Sequence, residues 1–157
     1  MQQKQRNSLI IIVGISGAGK STYIEKLKQT LPNVNVHSSD KLRGILFGDE
    51  NCQRDPGMVF GILKRNVEKD VASGRDVIID ATNLNPRDRR DWITIADKYG
   101  AEKIAYVIER DKSTIMKHQE KRKSEGGRFV PEDAIDRMFS KYIRPDKSEG
   151  WDKIVLV

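Results

Sequence analysis

Residues 9–22 read Leu9-Ile10-Ile11-Ile12-Val13-Gly14-Ile15-Ser16-Gly17-Ala18-Gly19-Lys20-Ser21-Thr22, five consecutive apolar residues running into a glycine-rich turn that closes on Lys-Ser-Thr. An uninterrupted apolar run of that length fits a strand buried on both faces. Behind the turn, Tyr23, Ile24 and Leu27 recur at helical spacing until Pro32, which predicts a helix over about 20–30. Between such a strand and helix, Gly14, Gly17 and Gly19 let the backbone take conformations closed to residues with a Cβ, so that consecutive N–H groups converge on phosphate oxygens. The helix adds its positive N-terminal end. Lys20 would reach the β- and γ-phosphates as a point charge, and the Ser21 hydroxyl would complete a Mg²⁺ shell. Gly14, Ser16, Gly17, Ala18, Gly19, Lys20, Ser21 and Thr22 are therefore the candidate residues for binding ATP. ATPases, GTPases and small kinases share such a loop, so it leaves the reaction open.

The chain has 157 residues, which predicts one domain over 1–157, an α/β P-loop fold with a parallel sheet of about five strands covered by helices on both faces and a small basic lid at about 122–130. With 29 Lys and Arg against 23 Asp and Glu, the net charge is +6, which favours an anionic partner: ATP, nucleic acid, or both. Cys52 is the single cysteine, which excludes an internal disulfide and a four-cysteine zinc site. Two histidines, His37 and His118, are too few for a histidine-based catalytic metal cluster, and Mg²⁺ is the expected metal. Met1 to Ser8 is polar, without an apolar core of signal-peptide length, and no segment approaches membrane-spanning length; a cytoplasmic, reducing setting with no membrane partner is expected.

Outward from the loop, a short strand is predicted at Asn35 to Ser38, a short helical stretch opening at Asp40, and a polar loop over 47–55. Pro56 begins a helix whose Val59, Leu63, Val67 and Val71 fall four apart, and Gly74 ends it. Val77-Ile78-Ile79 reads as a buried strand finishing at Asp80. A helix over 87–99 puts Trp92, Ile95, Ala96 and Tyr99 on one face, which makes Trp92 core rather than a stacking platform. Ile104 to Ile108 is a fourth strand, Ser113 caps a helix to about Lys121, Pro131 opens another to about Tyr142, and residues 153–157 are a fifth strand. In such sheets ligands sit at the carboxyl ends of the strands, which gathers residues 14–21, Asp40, residues 80–83 and the segment after Glu109 around one mouth.

At that mouth a kinase needs a carboxylate that orients the acceptor hydroxyl and takes its proton, and Asp40 in Ser38-Ser39-Asp40-Lys41-Leu42-Arg43 is the candidate base. Arg43, one helical turn on, would face the same way and hold an acceptor phosphate. The competing account makes Asp40 a helix N-cap and Arg43 a solvated side chain. Asp80 can hold the Mg²⁺ shell through water or orient Ser21. Thr82 and Asn83 organise the acceptor loop, and Arg87, Arg89 and Arg90 are candidates to track a phosphate backbone, unless they form a solvated helix face.

Together these pieces resemble the 5′-hydroxyl polynucleotide kinase family, the kinase modules of nucleic-acid repair enzymes, over nearly the whole chain. The carriers are residues 14–22, residues 38–43, Asp80-Ala81-Thr82-Asn83-Leu84-Asn85-Pro86 with Arg89 and Arg90, and the segment from Arg122 to Pro131. The resemblance implies transfer of the γ-phosphate of ATP to a polynucleotide 5′-OH, with Lys20 and Ser21 at ATP and Mg²⁺, Asp40 as base and Arg43 on the phosphate next to the acceptor hydroxyl. It also implies a lid arginine near the γ-phosphate, and the spacing in Lys121-Arg122-Lys123-Ser124-Glu125-Gly126-Gly127-Arg128 admits either Arg122 or Arg128. The repair enzymes usually carry a phosphatase or ligase module as well, and these residues contain neither. A kinase of another hydroxyl (a nucleoside, a small metabolite, a hydroxymethylated base in DNA) and an NTP-driven switch remain the alternatives.

Overall fold

The computed structural model describes residues 6–157; the polar N-terminal stretch read above falls largely on residues 1–5, outside the described part. Strand β1 (Ser8–Val13) lies at the centre of a five-stranded, all-parallel sheet of order β2-β3-β1-β4-β5, with β2 (Asn35–Ser38), β3 (Val77–Asp80), β4 (Glu102–Val107) and β5 (Lys153–Leu156). Ile10 is level with Ile78 on one side and Ile104 on the other, so the central strand has no free edge. That is why its five apolar residues are uninterrupted: Leu9 to Val13 are all buried.

Alternate residues of β1 serve different helices. Leu9, Ile11 and Val13 pack against Leu63, Val67 and Val71 of α3 (Pro56–Ala72) and Trp92 and Ala96 of α4 (Pro86–Tyr99). Ile10 and Ile12 face Ile24 and Leu27 of α1 (Lys20–Thr30). A third cluster, Ile15, Leu84, Ile115, Val130 and Ile135, joins the glycine-rich turn to α5 (Lys112–Ser124) and α6 (Glu132–Lys141). The short helix α2 (Ser39–Phe47) leaves the end of β2. Because all strands run the same way, Val13, Ser38, Asp80 and Val107 end at one edge, and every connection carrying a candidate site residue departs from there.

Four details differ from the reading of the sequence. Ser38, not Asp40, caps α2, its hydroxyl accepting from the Lys41 amide, so Asp40 sits within the first turn with its carboxylate free for other work. Asp111, not Ser113, caps α5, and that helix continues to Ser124, so Arg122 is helical rather than part of the connection. β4 starts at Glu102, two residues early, because the edge of β1 from Ser8 onward needs a partner. Tyr99 does not share the buried face of α4 and is 38% exposed. No helix among the described residues is long and apolar enough to cross a membrane.

Candidate active site

The turn after β1 wraps the N-terminus of α1. Gly17 and Gly19 have φ of 94° and 99°, in the left-handed region that favours glycine. Gly14 is different: its φ is ordinary, and it is needed because a Cβ there would stand 3.1 Å from the Ile108 carbonyl oxygen. The Gly14 amide donates to the Thr82 carbonyl at 3.1 Å, which ties the turn to the strand-end loop after β3. Helix α1 begins with no side-chain cap and no acidic residue in its first turn, so its leading N–H groups face the mouth uncompensated, as an anion requires. Lys20 folds back and its Nζ donates to the Gly14 and Ile15 carbonyls at 2.8 and 3.2 Å. Desolvation lowers its pKa to about 8, with Asp80 pulling the other way and Arg122 adding to the depression. A polyanion at this point restores what burial takes away, and the loop therefore fits a triphosphate.

The donors for a metal are modest. Among the described residues no group of three or more His, Cys, Asp or Glu side chains can hold an ion. Ser21 has an unpartnered hydroxyl among these residues, and Asp80, half-buried on the same cavity wall, has its carboxyl held above the usual range by desolvation that Lys20 only partly offsets. One hydroxyl and one carboxylate suit Mg²⁺, which keeps most of its shell as water and phosphate oxygen.

Asp40 faces this loop across the cavity. Its carboxylate pairs with Arg128 from the connection after α5 and lies 3.7 Å from Nη1 of Arg43. Arg43 is not a solvated side chain: it is 7% exposed and lies over the Phe60 ring, 5.7 Å from its centroid. Among the described residues its buried Nε has no partner, nor has that of Arg128. Arg122 lines the same cavity and weighs more heavily on the Lys20 charge than Arg128 does. Arg128 is thus engaged with Asp40, whereas Arg122 lines the cavity with no ion pair among the described residues.

The cavity that holds Lys20, Ser21, Asp40, Arg43 and Asp80 has a volume of about 940 Å³ and extends past Thr82 to Arg87 and Arg90 on α4 and to Arg137 and Lys141 on α6. Nine of its lining side chains are cationic and four are acidic. Arg87, Arg90 and Lys141 form no ion pair among the described residues, whereas Lys64 is bound to Asp91 at 2.5 Å and Arg137 to Asp133 at 3.2 Å.

Arg89, a candidate for the phosphate backbone, serves the framework instead, and Asn83, among the substrate-side candidates, organises its own loop. Arg89 is fully buried, its guanidinium bidentate to Glu149 at 2.8 and 2.9 Å and donating to the Asn83 carbonyl at 2.9 Å, so it cannot track a phosphate backbone. The Asn83 amide, on a residue with φ of 50°, donates to the Ile12 and Ala81 carbonyls while its oxygen accepts from the Trp92 indole at 3.0 Å. Both amide hydrogens are used in this way, and the side chain fixes the loop on which Thr82 stands. Trp92 is 1% exposed, in the core. Arg137, Lys141, Glu149 and Gln119 were missed. The one signal for Gln119 was its place four residues after Ile115 on the inward face of α5.

A model of the AAA domain family (AAA_33) matches residues 9–145. The L-seryl-tRNA(Sec) kinase of Methanococcus maripaludis is 22% identical over 156 residues, covering 92% of this chain and 56% of that protein, so the chain spans little more than half the length of this curated relative. Among solved structures, a chain of the Pnkp1/Rnl/Hen1 RNA repair complex superposes with a TM-score of 0.78 at 25% identity, over 88% of this chain and 45% of that one. Kti12 of Chaetomium thermophilum, in complex with ADP-AlF3, superposes with a TM-score of 0.79 at 15% identity, over 95% and 88% of the two chains, a likeness of fold. With its glycine-rich loop after β1 and parallel five-stranded sheet flanked by helices, the chain belongs to the AAA domain family (AAA_33) and has the fold of the P-loop kinases.

Proposed function

We propose that this protein transfers the γ-phosphate of ATP to a hydroxyl of a nucleic acid, in the first place a polynucleotide 5′-OH. The observation that carries this reading is Asp40, a carboxylate flanked by Arg43 and Arg128, on the same cavity as Lys20 and continuous with a cationic groove. A hydrolysing switch has no use for an acceptor-side carboxylate backed by a buried arginine, and a small-metabolite kinase has none for unpaired cations beyond the reacting centre. The seryl-tRNA kinase and the RNA repair complex among the similar proteins support a nucleic-acid acceptor.

In this mechanism the leading amides of α1 and the Lys20 ammonium bind the β- and γ-phosphates. Ser21 and Asp80 would hold Mg²⁺, which when bound would neutralise phosphate charge. Arg43 grips the phosphate next to the acceptor hydroxyl and sets that hydroxyl against Asp40. As the acceptor oxygen bonds to the γ-phosphorus and the bridging oxygen leaves with ADP, the hydroxyl proton passes to an Asp40 carboxylate oxygen. Arg122 stabilises the charge that develops on the transferring group. Thr82, Arg87 and Arg90 line the acceptor side, and Arg137 and Lys141 face them from α6.

The test is transfer of label from γ-labelled ATP to 5′-OH DNA, 5′-OH RNA, DNA with hydroxymethylated bases, and free nucleosides. Label on the 5′ ends of oligonucleotides, removable by phosphatase, is the expected result. Labelling of free nucleosides alone, or ATP hydrolysis that no acceptor diverts, would overturn the reading.

A further inference from the structure

Gln119 lies outside every role given above, yet it is one of the few fully buried polar side chains. Its Nε2 donates to the Ser16 carbonyl at 2.9 Å, inside the phosphate-binding loop, and its Oε1 accepts from the Val130 amide at 2.9 Å, where the lid connection turns into α6. The partners are one backbone acceptor and one backbone donor, so the amide orientation is fixed by chemistry. Of the side chains of this length, only an amide satisfies both. The approach is close enough that a Cβ on Gly17 would stand 2.8 Å from Nε2. One turn of α5 therefore explains a glycine of the phosphate loop. The neighbouring His118 reaches the next carbonyl of that loop, Gly17, through Nδ1.

Arg128 is two residues before Val130 and Arg122 three after Gln119 on the same helix, while the Gly127 amide closes the connection by donating to the Arg122 carbonyl at 2.8 Å. Both lid arginines thus stand on a segment whose two ends are tied to the phosphate loop through one side chain. We infer that Gln119 is a positioning residue for phosphoryl transfer, a latch that fixes the lid arginines relative to the phosphate-binding loop. The inference rests on the phosphotransfer reading for its kinetics but not for its structural readouts. A displacement of an arginine by about 1 Å can cost about 10²-fold in rate while leaving ground-state nucleotide binding nearly intact.

The test uses Gln119→Met, which keeps the volume and loses both hydrogen bonds, and Gln119→Glu, which keeps the acceptor for Val130 but turns a carboxylate toward the Ser16 carbonyl. On whichever acceptor the wild-type protein uses, both variants should lose about tenfold or more in kcat per folded molecule, with a smaller change in KM for ATP. The loss should shrink in an Arg128→Ala or Arg122→Ala background, because a misplaced arginine and a missing one are the same defect. Trypsin should cut within 121–128 faster in the Met variant at temperatures where the core stays folded. Full kcat per folded molecule, or losses that simply add to those of the arginine variants, would reduce Gln119 to a packing residue and overturn the inference. If neither variant folds, hydrogen exchange on the wild-type protein decides: the Val130 amide should be protected without nucleotide, and exchange as fast as in an open loop would contradict the latch.

Discussion

Lys20 carries a pH signature that can be measured directly. Its free pKa of about 8 lies below the ordinary 10.5, so burial of the charged form opposes folding below pH 8, and that cost fades as pH rises from about 8 to 10.5. Nucleotide binding reverses the shift and must take up a proton above pH 8. Calorimetric affinity for ATP should therefore be level below pH 8 and fall by up to about tenfold per pH unit above it, and Lys20→Ala should abolish the slope. In turnover, Lys20→Ala and Ser21→Ala should each lose about 10²-fold or more while retaining the wild-type fold by circular dichroism. Arg89 belongs to a different class. Arg89→Met leaves Glu149 without its bidentate partner, and urea unfolding should show a loss of about 3–5 kcal/mol, with the catalytic constants of the remaining folded protein little changed. These residues also mark what a sequence discloses. That the turn after β1, Asp40 and Arg43 meet at one cavity was legible, because the parallel strands they follow end at one sheet edge. Arg89 was misread because its partner is 60 residues distant and no local pattern signals the pair.

Helix α5 and the connection after it show the same limit at the level of elements. The strands and α1, α3 and α4 were legible because a core-facing residue recurs at a fixed period and a cap or glycine marks the end. Helix α5 runs three residues further than read, to Ser124, because Lys121-Arg122-Lys123-Ser124 has no apolar member to show the period; the helix stops only where Gly126 adopts a φ of 74°. Arg122 therefore rides on a helix anchored through Gln119, and Arg128 on the loop beyond, and the proposed mechanism assigns them different effects. Arg122→Ala should lower kcat more than it raises KM for ATP, as an interaction made mainly in the transition state does. Arg128→Ala frees the Asp40 carboxylate of its lid partner and should act chiefly on the acceptor side. Steady-state kinetics with each substrate varied in turn separates the two, and unchanged kcat in both variants would remove the lid from catalysis.

On the scale of the whole molecule, charge is concentrated rather than spread. The cavity lining carries an excess of cations close to the chain's entire net charge of +6, and its far end combines Arg87 and Arg90 of α4 with Lys141 of α6. The total charge was legible, but its focus was not, because it depends on α4 and α6 meeting across the mouth. Substituting these three side chains together by alanine should weaken oligonucleotide use and lower the salt slope of acceptor binding by about 0.7 per lost phosphate contact, with ATP affinity unchanged. The central claim, that Asp40 takes the proton of a nucleic-acid hydroxyl at a triphosphate site, is tested most directly by single-turnover transfer from γ-labelled ATP to a 5′-OH oligonucleotide with Asp40→Asn. The amide keeps the shape and removes the proton acceptor, so ATP binding should persist while the transfer step falls by about 10²-fold or more. Transfer at the wild-type rate by Asp40→Asn would contradict the account.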